Sequence, residues 1–418
     1  MEKSKLFVAG LLNSNFFEAY YIIDLEKKET KEILVDNTKE QEHLVKMIER
    51  QFPKGKLPYG AQKTEQFLPY LINPHSCYKV GDRMLSFMLQ APYFREINVN
   101  SLETRAITYK DPTDTIFSAS SIGNRDDNLI YLSVNSSDER ADIYNGKKTE
   151  MGFDYLEYDV ERRRFQEQKH IEKGLIDNMH QVGYSKERFL VSLDMNISVN
   201  LDVSDMPGLD NEAVRIEYNN ADFPKGKIFL WDMQKEKSLI MEPPLYTPAH
   251  VEFDRDDQSV FYVSCHNMSK FKGSMVLHGP GMIVKYRYTD GIVVNLGCFT
   301  DSEFNRITTH KIFYYNEKPF LAVTGYPNYL YIIDAETMVL ANKIKLFEAE
   351  PSVLYQDGLF PCIGNRKAPL YLQVNAEGTE VYLVNSDTCF SVLWLESSVS
   401  SFKYTENNFA VSAHFEIF

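Results

Sequence analysis

From Leu6 the chain runs LFVAGLLNSNFFEAYYIIDLEKKETKEILV, and from Phe320 it runs FLAVTGYPNYLYIIDAETMVLANKIKL. Each stretch is a short apolar run, a polar break, a second apolar run ending in YIID or LYIID, a polar hairpin and another strand. Short runs in which apolar and polar residues alternate predict strands half-buried in a sheet. Two such units far apart in one chain form an internal repeat, and repeated four-strand units predict the blades of a β-propeller.

The unit can be followed seven times. The second blade opens at NPHSCYKVGDRMLSFMLQA and continues through YFREINVN and RAITYK; the third is TIFSASSIGNRDDNLIYLSVN with FDYLEYDVERRRF. The fourth is NMHQVGYSKERFLVSLDM with KGKIFLWDMQKEKSLIM, and the fifth TPAHVEFDRDDQSVFYVSCHN with GMIVKYRYTDGIVVNLG. The sixth is TTHKIFYYNEKPFLAVTG with the LYIID unit, and the seventh APLYLQVNAEGTEVYLVNSD with CFSVLWLESSV. The C-terminal FAVSAHFEIF reads as an inner strand with no successor, and KLFVAGLL near the N-terminus as a second strand with no predecessor. Joined, they complete the first blade and remove an open sheet edge, which accounts for where the chain starts and stops. The expected fold is all-β: one seven-bladed β-propeller domain over residues 1–418, closed by pairing of its N- and C-terminal strands.

Two stretches interrupt the repeat as small helical or loop insertions. Residues 36–72 contain TKEQEHLVKMIERQF, whose apolar spacing suits a helix, and residues 196–224 interrupt the fourth blade. Such excursions serve as lids and binding loops, or as surface decoration.

Composition narrows the function. Hydrophobic residues make up 44% and charged residues 25%, as in a soluble globular protein, and the 13% of aromatics favours strands. A net charge of −14 argues against nucleic acid and against docking on an anionic membrane. No stretch approaches the roughly 20 apolar residues of a membrane helix. The opening residues have a basic end and an apolar run, but they lack a small-residue cleavage site and are needed as a strand. Five scattered cysteines without CxxC spacing predict a reduced, cytoplasmic protein. No Gly-rich phosphate loop, serine elbow or HExxH is present.

The histidines carry the candidate chemistry. In the repeat, His75, His180, His250, His310 and His414 all fall at the start of an inner strand, with Tyr371 at the matching place in the seventh blade and Ala119 or a neighbouring serine in the third. Inner strands line the channel of a propeller, so these positions converge on its axis. Any single one reads as a buried histidine satisfied by a backbone carbonyl, and blade duplication could copy it without function. Five together predict a metal centre, because neutral imidazoles around a divalent cation avoid the cost of a buried unpaired cluster. Imidazole suits Fe, Cu, Zn and Ni, whereas Mg and Ca want oxygen. Strand periodicity puts Glu252 on the face of His250 and Glu416 on the face of His414, to orient a ligand or act as a base, or simply to line a solvated channel. His75 is then a fifth ligand, a support for another ligand, or a substrate contact. His266 and His278 read as loop or surface residues, His43 as part of the helix and His170 as part of an outer strand.

The stretches PAHVEFDRDDQSVFYVS and YIIDAETMVLANKI resemble the YVTN/lactonase-type and selenium-binding seven-bladed propellers. The order of His180, His250, His310 and His414 is similar to the four-histidine set of carotenoid cleavage oxygenases, which hold one non-haem Fe(II). The chain departs from that family in length and lacks its longer motifs around the histidines, so carotenoid substrates are not implied. The resemblance implies a non-haem iron oxygenase or oxidase using O2 on a small organic molecule, with Fe(II) first and Cu or Zn as other metals. The other readings are a copper oxidase, a lactonase-like hydrolase and a metal-free binding scaffold. The oligomeric state is left open.

Overall fold

The protein is described by a computed structural model over residues 4–51, 63–88, 91–108, 115–126, 129–136, 152–166, 169–173, 179–185, 189–194, 225–271, 274–326, 328–348, 371–411 and 414–418. The side chains of some strand residues, His180 among them, fall outside that description.

The chain opens with an antiparallel meander of β1 (Lys5–Leu12), β2 (Glu18–Asp24) and β3 (Glu29–Val35). Helices α1 (Thr38–Gln51) and α2 (Thr64–Ile72) follow, and then a four-stranded sheet of β4 (Pro74–Val80), β5 (Arg83–Met88), β6 (Tyr93–Asn98) and β7 (Thr104–Thr108). The next sheet has five strands: β8 (Thr115–Asp126), β9 (Leu129–Ser136), β10 (Gly152–Asp159), β11 (Arg164–Phe165) and β12 (Lys169–Lys173), the last two both pairing with β10. A four-stranded sheet comes next, of β13 (Met179–Tyr184), β14 (Phe189–Asp194), β15 (Lys227–Asp232) and β16 (Lys237–Met241).

Another is made by β17 (Pro248–Phe253), β18 (Val260–Cys265), β21 (Met282–Thr289) and β22 (Ile292–Phe299), with the hairpin β19 (Met268–Phe271) and β20 (Ser274–Leu277) inserted. The sheet of β23 (Asn305–Tyr315), β24 (Lys318–Tyr326), β25 (Tyr329–Asp334) and β26 (Val339–Lys345) precedes that of β27 (Tyr371–Val374), β28 (Glu380–Val384), β29 (Thr388–Leu393) and β30 (Ser398–Lys403). Finally β31 (Phe409–Val411) and β32 (Glu416–Ile417) return to pair with the free edge of β1.

This is an all-β propeller arrangement. Innermost strands touch in chain order, β4 on β8, β8 on β13, β13 on β17, β17 on β23 and β23 on β27; β32, on the inner side of the closing sheet, meets both β27 and β4, and β1 beside it also touches β4. The expectation of seven blades is corrected: among the described residues five sheets have the four-stranded form of a blade, while the sheet of both chain ends and the sheet of β8 to β12 each carry five strands. Closure by the chain ends matches the expectation.

Burial explains the sequence pattern. Apolar clusters lie between successive sheets, so middle strands are covered on both faces and read as continuous apolar runs, as in β2 and β25. Outer strands meet solvent and alternate, as in β3. The hairpin after the third strand recurs with one mechanism. Asp24, Asn98, Asp159, Asp232 and Asp334 each accept the backbone N–H three residues on, and the residue after that takes positive φ: Lys28, Leu102, Arg163, Glu236 and Met338. A short acceptor side chain that folds its own turn is the Asx device.

The predicted helix within residues 36–72 is α1. With α2 it packs Leu44, Met47, Ile48, Leu68 and Ile72 onto Leu11, Met88 and Tyr93 of the first two sheets, and α2 leads through Asn73 into β4. Residues 52–62 and the second insertion, 196–224, lie outside the described residues.

The closing seam leaves no room for a side chain at Gly10, where an added Cβ would run into the Ala410 carbonyl oxygen and the Phe409 ring. Gly10→Ala is therefore expected to cost about 1–3 kcal/mol or more through overpacking. A lowered urea midpoint measures it, and an unchanged midpoint would show that the seam gives way freely.

Candidate functional site

The histidine-bearing strands share a backbone irregularity. In β4 the ladder slips at His75, between the pairs Pro74↔Met88 and Ser76↔Phe87, and in β13 at His180, between Met179↔Asp194 and Gln181↔Leu193. In β17 it slips at Ala249, immediately before the pair His250↔Ser264. In β23 it slips twice ahead of His310↔Val323. In β8 the slip lies between Ser118↔Ser133 and Ile122↔Leu132. The inner strand of the closing sheet is interrupted between β31 and β32, and His414 stands in the gap. A β-bulge bends its strand and re-aims a side chain. The histidines therefore share a level rather than one ladder position: His75 and His180 are the extra residues, while His250 and His310 are the first paired residues after a slip.

His414 is the hub of a cluster. Its ring centroid lies 5.4 Å from that of His75, 5.1 Å from His250 and 4.7 Å from Tyr371, and its N–H donates to the His75 carbonyl oxygen at 2.8 Å. Tyr371 and His266 each lie 6.1 Å from His250. His75, His250 and His266 are buried and His414 is half-buried. His266 does lie in the loop between β18 and β19, as read, but it is buried rather than at the surface. Its N–H donates to the Thr247 carbonyl oxygen, which turns the end of β18 back beside β17. Thr247 itself is buried at φ +57°, a strained conformation for a β-branched residue, immediately before Pro248 opens β17. Strained backbone gathers at functional sites, but neither it nor the bulges could be seen without the partner strands.

His310 is set apart. It is 2% exposed, and among the described residues no ring contact joins it to the cluster. Neither ring nitrogen meets hydrogen-bond geometry, though the Tyr262 backbone lies near enough to favour the charged form. Burial dominates, and it pushes the imidazole down to about 4 against the pull of Glu252.

The two carboxylates predicted beside the histidines take separate places. Glu252 reaches from β17 to the inner edge of β23, where it accepts from the Ile312 N–H at 2.7 Å and from Lys311 Nζ at 2.7 Å. It satisfies a strand edge that no neighbouring strand pairs. Glu416 pairs opposite Phe7 in β32 and adds to the negative field at Lys311. Glu252 first, and Glu416 after it, hold the Lys311 ammonium above its ordinary range. The Lys311 side chain is 39% exposed, so water reaches this ion pair.

The donors suit a transition metal in kind, since the ring contacts join imidazoles and one phenol. In position they do not yet fit: among the described residues no group of three or more His, Cys, Asp or Glu stands where it could hold a metal ion. The side chains of His180 and His170 lie outside the described residues, as does that of Ala119. His278 packs its ring 4.2 Å from Tyr246, with burial lowering its affinity for a proton, and His43 lies in α1. No described helix is long and apolar enough to cross a membrane.

No family model and no curated protein matches the chain. Among solved structures it is similar to a functionally unknown protein from Desulfotomaculum acetoxidans, with 7% identity, 98% of each chain covered and a TM-score of 0.53. A chain in a nidogen/laminin complex aligns with 9% identity over 81% of this chain and 98% of that one, at a TM-score of 0.44. The first likeness is one of fold alone. Neither lends support to a relationship with lactonase-type, selenium-binding or carotenoid-cleaving propellers.

His310 fixes a pH dependence. Unfolded, it titrates near 6.5; folded, near 4. A depressed histidine contributes stability in full above about 6.5 and loses it as pH falls towards 4, on the order of 3 kcal/mol. The difference in urea midpoint between pH 7 and pH 4.5 should therefore shrink in His310→Phe relative to the unaltered protein. Equal differences would place the titration elsewhere.

Proposed function

We propose that the protein is a metal-dependent oxidoreductase acting on a small organic molecule with O2, and that its site is the histidine-lined end of the channel. The observation that carries this reading is the meeting of His75, His250 and His414, brought from three sheets to ring separations of 5.1 and 5.4 Å around His414. These three would hold the metal, with His180, whose backbone bulges at the same level, as a fourth donor. Fe(II) is the first choice on the chemistry of the donors, with Cu or Zn as the other metals that imidazole suits. The metal would supply redox chemistry. His310, apart from the cluster and held neutral, is assigned to the channel lining, and Glu252 to positioning β23 rather than to base catalysis. Glu416, two residues on from His414, is kept as the candidate base. We read the two five-stranded sheets as further blades beside the five four-stranded ones, which is the proposal of a seven-bladed ring.

A metal-free binding scaffold is the second reading, favoured by the absence of a ligating group of three among the described residues. Metal content separates the two. Untagged protein, as purified and after anaerobic reconstitution with Fe(II), is expected to hold close to one equivalent. His414→Ala is expected to lower retention by about tenfold or more, since losing even a group that supports a ligand costs that much. Absence of metal from both samples, or retention untouched by His414→Ala and His250→Ala, would leave the scaffold.

A further inference from the structure

A cleft of about 460 Å³ opens between the sheet of β4 to β7 and the sheet of β8 to β12, lined by Arg83, Arg105 and Arg163 together with Glu96, Asn98 and Glu103. Arg83 in β5 lies opposite Asn98 in β6, and Arg105 in β7 lies opposite Glu96, so strand alternation sets all four on one face of their sheet. Arg163 comes from the turn between β10 and β11, where its φ is +51°. Its Nε and Nη2 donate to Glu96 Oε1 at 3.0 and 2.6 Å. Arg83 donates to the Val160 carbonyl oxygen and stands 3.9 Å from Glu96. Arg105 is exposed and, among the described residues, makes neither a hydrogen bond nor an ion pair. Tyr158, in β10, is fully buried against Phe94 and Phe165. Its hydroxyl has no hydrogen-bond partner, although it lies in the field of Glu96 and of all three arginines.

The cleft is thus rich in donors and short of acceptors. Each guanidinium carries five N–H groups. Against three of them stand the Glu96 carboxylate, buried and already held by Arg163, the Val160 carbonyl and the exposed Glu103. Stapling the two sheets together needs only Glu96 with Arg163 and Arg83, and leaves Arg105 unused. Guanidinium forks match the oxygens of carboxylates and phosphates. A carboxylate offers two oxygens in one plane, whereas a phosphate offers oxygens in several directions, as donors arriving from β5, β7 and a turn of the next sheet require. A chain of net charge −14 repels anions at long range, so such a ligand must be held by direct bonds within the cleft.

We infer that this cleft is a binding site for the phosphate group of a small molecule, with Arg105 as the arginine free to close on it. Calorimetric titration at constant ionic strength, with inorganic phosphate, glycerol 3-phosphate and acetate as probes, tests this. Both phosphates are expected to bind saturably and acetate not to bind; tighter binding of one phosphate identifies free or esterified phosphate as the ligand. Arg105→Gln, an exposed position, is expected to keep the urea midpoint of the unaltered protein when phosphate is absent and to weaken phosphate binding by about tenfold or more, the usual loss for a hydrogen bond to a charged group. Arg287→Gln, outside the cleft, should bind as the unaltered protein does. Saturating phosphate should also raise the urea midpoint of the unaltered protein, and do so less in Arg105→Gln. No saturable phosphate binding, equal binding of acetate, or phosphate binding indifferent to Arg105→Gln would each overturn the inference.

Discussion

The ring depends on β1 being hydrogen-bonded along both edges. One edge holds β2; the other holds β31 and β32, with Lys5 and Phe418 exchanging backbone hydrogen bonds at one end and Asn13 bonding Asn408 at the other. Without that second edge an inner position would be missing and its neighbours would lose the surface they wedge against. The same sheet is fastened to the next by a buried charge pair. Glu18 in β2 accepts from Arg95 in β6 at 2.6 and 2.8 Å and from the Tyr20 and Tyr93 hydroxyls, and Arg95 reaches on to Glu40 in α1. Burial raises both tyrosines, while Glu18 keeps the guanidinium charged against its own burial. Such a pair adds little net stability, but breaking it leaves a buried charge, so it penalises any docking of helix and sheets other than this one.

Closure and site meet in one strand. The interruption between β31 and β32 is where His414 stands, and its backbone bond to the His75 carbonyl oxygen ties the seam to the first inner strand of the next sheet. A continuous strand there would pair more fully with β1 and would hold His414 in the ladder. The seam gives up ladder bonds at the level where the neighbouring inner strands give up theirs to bulges.

Much of the fold was legible because burial writes itself into the pattern. Strands covered on both faces appear as unbroken apolar runs, and outer strands alternate. The two YIID stretches were visible as a repeat, but the device beneath them was the Asp or Asn that folds each outer hairpin, which a search for apolar words passes over. The common level of the histidines could also be read, since it needs only the distance from each turn. Their ladder positions could not, because a bulge is a relation between two strands. The burial of His266 was hidden in the same way: SCHN ends in a loop, as it looks, but the bond from the His266 N–H to the Thr247 carbonyl oxygen continues the pairing of β18 with β17 and keeps the residue buried. Glu252 was read as sharing the face of His250 in one strand, but period-two reasoning knows nothing of the Ile312 N–H in β23 that its carboxylate meets. The closing inner strand was read whole as FAVSAHFEIF, and the structure divides it into β31 and β32; His170 was read in an outer strand, and β12 holds it there beside β10.

The bulges do not by themselves call for imidazole. In β8 the slip is built from Ala119, Ser120 and Ser121, so small residues suffice for the backbone. Histidine at or beside the slips in β4, β13, β17 and β23, and in the break of the closing strand, answers some other requirement. It is also an expensive choice for a scaffold. Two imidazolium rings 5.1 Å apart would repel by about 3 kcal/mol at an effective dielectric of about 20, and buried rings also forgo hydration. Neutral rings avoid the repulsion, and a cation shared among them would bond those nitrogens that face it. An apolar lining would remove the repulsion too, and Tyr371 shows that an aromatic ring fits the same space. That the chain keeps imidazole at the other positions is the reason for placing metal ahead of mere lining at this end of the channel.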